Sequence, residues 1–145
     1  MTRNDFLKLL AGSQFIRFGI VGAGGYVVDA SVLALMLYAV RLDPYTSRVV
    51  SYLAAATFTW TGNRYLTFAD QRAHGLKGIA REWATFLAAN AIGGLVNVGL
   101  YATLVRYAPP PVSNYFVAQL FGVLAGLVFN FTLSKRFVFR QPPVA

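Results

Sequence analysis

Residues 114–137 read NYFVAQLFGVLAGLVFNFTLSKRF, and this stretch contains no acidic or basic residue before Lys135. An α-helix needs about 20 mostly apolar residues to cross about 30 Å of hydrocarbon. Strands of globular proteins are usually shorter than about ten residues. The stretch therefore predicts a transmembrane helix.

Three further segments of this kind precede it, at about residues 18–40, 45–68 and 84–107. A short polar turn at residues 41–44 separates the first two. Three consecutive prolines at residues 109–111, which a helix interior does not tolerate, separate the last two. We therefore predict an all-α membrane protein of four transmembrane helices, with a polar middle loop over about residues 69–82.

The N-terminal stretch has a short apolar run that Lys8 interrupts and Asp5 precedes. This run is too short and too polar for a cleavable signal peptide. Two interpretations of residues 4–13 remain open, a short helix on the membrane surface and a frayed end.

The composition of the 145-residue chain also favours a membrane protein. Hydrophobic residues make up 57% and charged residues 12% of it, whereas soluble domains carry about 25% charged residues. The net charge of +8 comes from short basic clusters between apolar runs, which is typical of membrane anchoring rather than of nucleic-acid binding. The chain has no cysteine and one histidine, so we expect neither disulfides nor a metal site, and no cofactor.

The sequence contains no recognisable active site. His74 lies in a loop, far from any candidate nucleophile, and the five acidic residues are scattered along the chain. The glycine run at residues 22–25 lies inside an apolar span and lacks the third glycine of the dinucleotide fingerprint. We therefore do not expect an enzyme.

The distribution of basic residues predicts the orientation. Ten of the thirteen lie in the N-terminus, the middle loop and the C-terminus, and three lie in or near the two hairpin turns. Cytoplasmic segments of membrane proteins are enriched in Lys and Arg. We therefore expect both termini and the middle loop on the cytoplasmic side of the cell inner (cytoplasmic) membrane. The ten are Arg3, Lys8, Arg17, Arg64, Arg72, Lys77, Arg81, Lys135, Arg136 and Arg140; the three are Arg41, Arg48 and Arg106.

The chain also contains an internal repeat. An offset of 68 residues aligns the first helix of each half, matching Phe18 with Phe86 and Gly25 with Gly93. An offset of 71 aligns the second helices, for example Phe68 with Phe139. We therefore predict one domain over residues 1–145 with parallel repeats at about 15–68 and 83–139.

Small residues four apart form one face of the second helix in each repeat, which predicts close helix packing or a groove for a lipid headgroup. The two faces consist of Ser47, Ser51, Ala55, Thr59 and Asn63, and of Ala118, Gly122, Gly126 and Asn130.

Asp29 lies near the middle of the first predicted span, where an unpaired carboxylate costs at least about 2.5 kcal/mol. It should therefore face the protein interior and be paired or protonated. Its repeat partner Asn97 is polar, as is Asn90, seven residues earlier. Two interpretations stay open for these three residues, interhelical hydrogen bonds that hold the halves together and a polar site for sugar hydroxyls.

Four basic residues near the predicted cytoplasmic helix ends anchor the topology, and with two asparagines they also suit a phosphate site. Arginine binds phosphate through two parallel hydrogen bonds, and lysine acts as a point charge. The candidate headgroup residues are Arg17, Asn63, Arg64, Asn130, Lys135 and Arg136.

Several of these motifs resemble the GtrA-like family, which also supplies the transmembrane part of some dolichol-phosphate-mannose synthases. The resemblance covers about residues 15–140. It rests on Arg17-Phe18 with Val21-Gly22 and Asp29, on Asn63-Arg64-Tyr65-x-Thr67-Phe68, and on Asn130-Phe131-x-x-x-Lys135-Arg136-Phe137-Val138-Phe139. One departure is Thr59 in the first repeat where the second has Asn130, which leaves a single copy of that asparagine for headgroup contacts.

The resemblance implies a flippase that moves a polyprenyl (undecaprenyl) phosphate-linked sugar to the outer leaflet, for polysaccharide biosynthesis by a separate glycosyltransferase. A second hypothesis is a non-transporting subunit that anchors or recruits a glycosyltransferase. A third is a small drug/proton exporter, although its cation substrates fit poorly with a basic entry side. Four short helices form a thin wall around a sugar-sized cavity, so a homo-oligomer is among the expected partners.

Overall fold

The computed structural model describes residues 8 and 12–140, except the side chains of Tyr45 and Phe116, and within this part it is helical without strands. The predicted surface helix over residues 4–13 lies largely outside the described residues. The chain divides into two compact units, the first ending at Arg72 and the second covering residues 73–140. Each unit contains two long helices in contact with each other.

The first unit is a helical hairpin. Helix α1, Gln14–Ala34, continues as a π-helical segment, Leu35–Val40, and helix α2, Pro44–Gly62, continues as a second π-helical segment, Asn63–Thr67. Ser13 caps α1 by accepting a hydrogen bond from the Ile16 N–H at 3.3 Å. Asp43 likewise accepts from the Thr46 N–H at 3.0 Å, which explains why α2 begins directly after the short turn.

The second unit repeats this arrangement. Helix α3, Gly75–Tyr107, ends before the prolines, and helix α4, Tyr115–Leu133, continues as a π-helical segment, Ser134–Val138. The described helix bounds agree with the predicted spans within a few residues, apart from the start of α3. That helix begins at Gly75 rather than near residue 84, so the predicted polar loop is wrong over its second half.

The early start of α3 has a local cause. Gly75 adopts a φ of 75°, a left-handed conformation that suits glycine. The residues that follow continue the helix, with Leu76 and Arg81 exposed and Glu82 buried. At about 1.5 Å per residue, the 33 residues of α3 extend about 50 Å, which is longer than the hydrocarbon core is thick.

Three described helices have the length and hydropathy of a membrane span: Gln14–Val40, Gly75–Tyr107 and Val117–Val138. Helix α2 is not among them, because serine, threonine and arginine dilute its apolar residues. The protein is therefore an all-helical membrane protein, and three of its four predicted spans are supported by length and hydropathy.

The small-residue faces pack within each unit, as the packing interpretation predicts. The Thr59 side chain occupies the space where a Cβ on Gly25 would lie, and the Asn130 side chain does the same at Gly93. Since Gly25 matches Gly93 and Thr59 matches Asn130 under the two offsets, both units use the same contact. Outside these contacts, large apolar side chains such as Tyr26, Tyr38 and Leu95 stay exposed, as lipid-facing residues are.

An aromatic pair joins the two helices of each hairpin at the end opposite the hairpin turn, which we call the open end. Phe18 packs edge-on against Phe68 with ring centroids 6.3 Å apart, and Phe86 packs against Phe139 at the same distance. The π-helical segments position both second rings, since the Phe68 N–H donates to the Asn63 carbonyl and the Phe139 N–H to the Ser134 carbonyl, each at 2.8 Å. Each open end is therefore fixed by a π turn and an aromatic pair.

We predict that Gly122→Ala destabilises the second unit by about 1–3 kcal/mol. A Cβ at this position would lie 2.7 Å from the Asn97 carbonyl oxygen, so the two backbones would have to separate. Reversible unfolding in detergent micelles measures the loss. Gly94→Ala is the matched control, because a Cβ there has no heavy atom within 4 Å. Equal stability of the two variants would contradict this account of the packing.

Candidate functional site

The π-helical segments carry the basic residues predicted to contact a headgroup. Lys135 and Arg136 are exposed, and their cationic groups lie 5.7 Å from the Phe131 ring centroid and 5.9 Å from the Phe137 ring centroid, respectively. Arg64 is only 5% exposed and its guanidinium lies 5.7 Å from the centroid of a Trp60 ring. Lys135 and Arg136 are therefore accessible to an anion, whereas Arg64 is largely enclosed by protein.

A cleft of about 210 Å³ lies at the open end of the first unit. Gln14 and Arg17 from the first turn of α1 line one side, and residues 66–71, which include the acidic Asp70, line the other. The Gln14 side-chain amide donates to the Thr67 carbonyl at 3.5 Å, a long hydrogen bond that spans the cleft. Arg17, a predicted headgroup residue, therefore lines a real cavity, which we call the first basic cleft.

The second unit has a cleft of about 290 Å³ at its open end, the second basic cleft. Its polar lining comes mainly from Arg81, Glu82 and Thr85 of α3 and from Arg140. The Glu82 carboxylate accepts a hydrogen bond from the Ala73 N–H at 2.6 Å, and its residue is buried. The cleft therefore combines two arginines with one enclosed carboxylate.

The two basic clefts occupy equivalent positions in the repeat. The offset of 68 carries Gln14 onto Glu82 and Arg17 onto Thr85, and the offset of 71 carries Ala69 onto Arg140. Each cleft therefore has arginine: the first takes Arg17 from α1, and the second takes Arg81 from α3 and Arg140 from just beyond the last π-helical segment. The sequence analysis treated Arg81 and Arg140 as topology signals only. The 71-residue offset matches Arg140 with Ala69, beside the headgroup residues predicted in the first repeat, and this match could have indicated a role for Arg140.

The two asparagines predicted for the headgroup site have different surroundings. Asn63 is 1% exposed, and its side-chain oxygen accepts a hydrogen bond from the Thr67 hydroxyl at 2.8 Å. Asn130 is partly exposed, but its side-chain oxygen is buried above Gly93 and has no hydrogen bond within the described residues. Asn63 thus stabilises the π turn locally, and a headgroup contact by either residue stays a prediction.

Asp29 forms an ion pair with Arg48, with their nearest atoms 2.5 Å apart. The Asp29 side chain is 18% exposed and the Arg48 side chain 55% exposed. Arg48 lies on the first turns of α2, so the pair joins α1 to α2 inside the first unit. The expected partner is present, but it belongs to the same repeat as Asp29 and not to the other half.

Asn90 and Asn97 do not share one site. The Asn90 side-chain amide donates to the Phe86 carbonyl of its own helix at 3.0 Å. Asn97 lines a cleft of about 330 Å³ together with Val98, Tyr101 and Gln119, which we call the amide cleft. Sequence reasoning missed Gln119 and Tyr101, because neither forms a recognisable motif.

No group of three or more His, Cys, Asp and Glu side chains within the described residues is arranged to hold a metal ion. The chemistry available at the open ends is the binding of an anion by arginine and lysine. A transmembrane-domain model of the GtrA/DPMS family matches residues 17–139, which is most of the chain. The chain belongs to the GtrA/DPMS transmembrane-domain family.

The matched range contains all nine site residues predicted from the sequence. Membership in the GtrA/DPMS family indicates a membrane protein of glycosylation-related pathways that use lipid-linked sugars. It gives no support to the drug/proton exporter hypothesis. No curated protein matches the sequence of this GtrA/DPMS domain.

We predict that Asn63→Ala lowers the free energy of unfolding by about 1–3 kcal/mol, because the buried Thr67 hydroxyl would lose its acceptor. The loss should appear in reversible unfolding in micelles. Thr61→Val serves as control, since the Thr61 hydroxyl is exposed and bonds to the Thr57 carbonyl of its own helix. If the control lost as much stability, the Asn63–Thr67 bond would not fix the π turn.

Proposed function

We propose that this protein moves a polyprenyl-phosphate-linked monosaccharide, of the undecaprenyl type, from the inner to the outer leaflet of the cytoplasmic membrane. The sugar would then serve glycosylation of a cell-surface polysaccharide. The observation that carries the proposal is the pair of equivalent basic clefts at the open ends of the hairpins, each lined by arginine. Family membership supports the same class of substrate.

The proposal requires four membrane-spanning helices, including α2. Its composition is polar for a span, but its threonine hydroxyls donate to carbonyls of the same helix. Thr57 bonds to Leu53 at 2.7 Å and Thr61 to Thr57 at 2.8 Å. Such bonds lower the cost of placing hydroxyls in hydrocarbon, where every polar group needs a partner. They therefore support α2 as the fourth span.

In this proposal the lipid phosphate first meets the exposed Lys135 and Arg136 at the inner leaflet. Both cations project from helix ends beside aromatic rings, as interfacial residues do. The phosphate then enters a basic cleft, where Arg17 or the Arg81 and Arg140 pair supplies hydrogen bonds. The polyprenyl tail stays in the bilayer, and consumption of the sugar outside draws the exchange outward.

Replacing Lys135 and Arg136 together by alanine should slow translocation of an undecaprenyl-phosphate-linked hexose in reconstituted vesicles by about tenfold or more, since two charge-assisted phosphate contacts are lost. The matched control is Arg41→Asn with Arg106→Ala, which removes two charges near the hairpin turns. Asparagine is chosen because Arg41 has a φ of 62°. An unchanged rate for the first variant at normal protein levels would contradict these roles.

The orientation of the chain in the membrane can be tested by labelling single cysteines, because the natural chain contains none. A single cysteine at His74, in the connection before α3, should resist a membrane-impermeant maleimide added outside the cell. A single cysteine at Ser113, in the turn before α4, should react. Labelling of position 74 from outside would refute the cytoplasmic placement of the middle connection.

The alternative of a glycosyltransferase anchor has one structural observation in its favour. The start of α3 exposes Leu76 to 88%, beside the exposed Lys77, on a helix longer than the membrane requires. This surface is suited to contact with another protein. Co-purification with a transferase, together with no lipid-sugar movement by the protein alone, would favour the anchor.

A further inference from the structure

The amide cleft of the second unit contains three polar side chains without internal partners. Asn97 and Tyr101 come from α3 and Gln119 from α4, and the cavity measures about 330 Å³. None of the three forms a hydrogen bond within the described part of the chain. The volume lies at the lower end of the range of about 300–1,000 Å³ for small-molecule sites.

The position of the cleft makes these missing bonds costly. Asn97 lies ten residues before the end of α3, which is about 15 Å along the helix. An amide at such a depth has no bulk water to bond to, and an unpaired polar group in hydrocarbon is strongly unfavourable. The three groups are accessible at the surface of the cleft, with Gln119 exposed, so a polar occupant would supply the hydrogen bonds they lack.

In the first unit, the side chains at the matching positions bind each other. The offset of 68 carries Asp29 onto Asn97 and Leu33 onto Tyr101, and the offset of 71 carries Arg48 onto Gln119. Asp29 and Arg48 form an ion pair, so both charges have a partner. In the second unit, uncharged amides replace both charges and a phenol replaces an aliphatic side chain.

We propose that the amide cleft binds the sugar of the lipid-linked substrate, an inference that rests on the proposed function. Amides and a phenol both donate and accept hydrogen bonds, as neighbouring sugar hydroxyls require. The ring of Tyr101 supplies an apolar surface for the carbon–hydrogen face of the sugar. The cleft lining carries no formal charge, so it favours a neutral polyhydroxylated group over a phosphate.

This sugar site is separate from the basic clefts. Thr85 in the second basic cleft and Asn97 lie twelve residues apart on α3, which is about 18 Å along the helix. That distance is longer than a hexosyl phosphate. One headgroup therefore cannot occupy both places, and the amide cleft, nearer the proline turn, acts after the basic cleft as the headgroup approaches the outer leaflet.

The test compares two kinds of lipid on purified protein in micelles by native mass spectrometry. The probes are undecaprenyl phosphate and undecaprenyl phosphates carrying glucose, galactose, mannose, N-acetylglucosamine or 4-amino-arabinose. Because the amide cleft is a separate site, we expect wild-type protein to take up an additional copy of at least one sugar-bearing lipid there, with a preference of about tenfold over an additional copy of the bare phosphate, since only the sugar forms two or three hydrogen bonds in this cleft.

The decisive variant is Asn97→Asp with Gln119→Arg, which copies the ion pair of the first unit into the cleft. This variant should bind an additional copy of the sugar-bearing lipid no more tightly than one of the bare phosphate, a preference of about onefold. Continued binding of the bare phosphate would show that the variant is folded. Tyr101→Phe is a gentler variant, expected to lower the preference about two- to fivefold. Thr103→Val is the control, since the Thr103 hydroxyl is exposed and bonds to the Gly99 carbonyl.

Two results would overturn the sugar site and leave the basic clefts intact. One is a wild-type protein that binds bare and sugar-bearing lipids equally, and the other is an undiminished preference in the double variant. If wild-type protein bound neither kind of lipid, the proposed function itself would fail, and the sugar site with it.

Discussion

Hydrocarbon offers no water to complete the hydrogen bonds of a polar group, and this constraint governs the polar chemistry of the chain. The threonine hydroxyls of α2 donate to carbonyls one turn earlier. Asp29 is paired with Arg48, and Asn63 accepts from Thr67. The Asn130 side-chain oxygen is buried without a hydrogen bond, whereas the amides of Asn97 and Gln119 line an open cleft, where a bound molecule can supply the bonds that the described residues do not. The contrast between polar groups bonded within the chain and the two amides of this cleft locates a binding surface, which the amino-acid composition alone could not do.

The two units use the same packing for different chemistry. Gly25 and Gly93 each receive a side chain from the facing helix, and both open ends are closed by a pair of phenylalanines 6.3 Å apart. The two units share this packing but differ in the polar residues at matched positions. The first basic cleft has one arginine and the second has two at other positions, and the ion pair of the first unit becomes two amides in the second. The repeat therefore acts as an internal comparison, in which differences between matched positions indicate specialised roles.

Much of the fold could be predicted from the sequence, because apolar length and proline positions determine where helices begin and end. The faces of small residues follow from spacing, and the repeat matches Phe18 with Phe86 and Phe68 with Phe139, but the packing of Phe18 on Phe68 is known only from the structure. The early start of α3 did not follow, since Gly75 and Gly78 are also typical of loops. The site was harder to predict. Local bonds involving Asn63 and Asn90 depend on side-chain direction, and Gln119 gains significance only from its position opposite Asn97.

The π-helical segments have a consequence for how the chain length can change. A π turn accommodates one residue more than an α-helical turn. Deleting a single residue between Asn63 and Phe68 would turn the bond from the Phe68 N–H to the Asn63 carbonyl into an ordinary α-helical bond, so the ring would keep roughly its direction toward Phe18. The same holds between Ser134 and Phe139. The chain can therefore change its length in two kinds of place: in the hairpin turns, where the three-residue difference between the two offsets lies, and by one residue at each π turn.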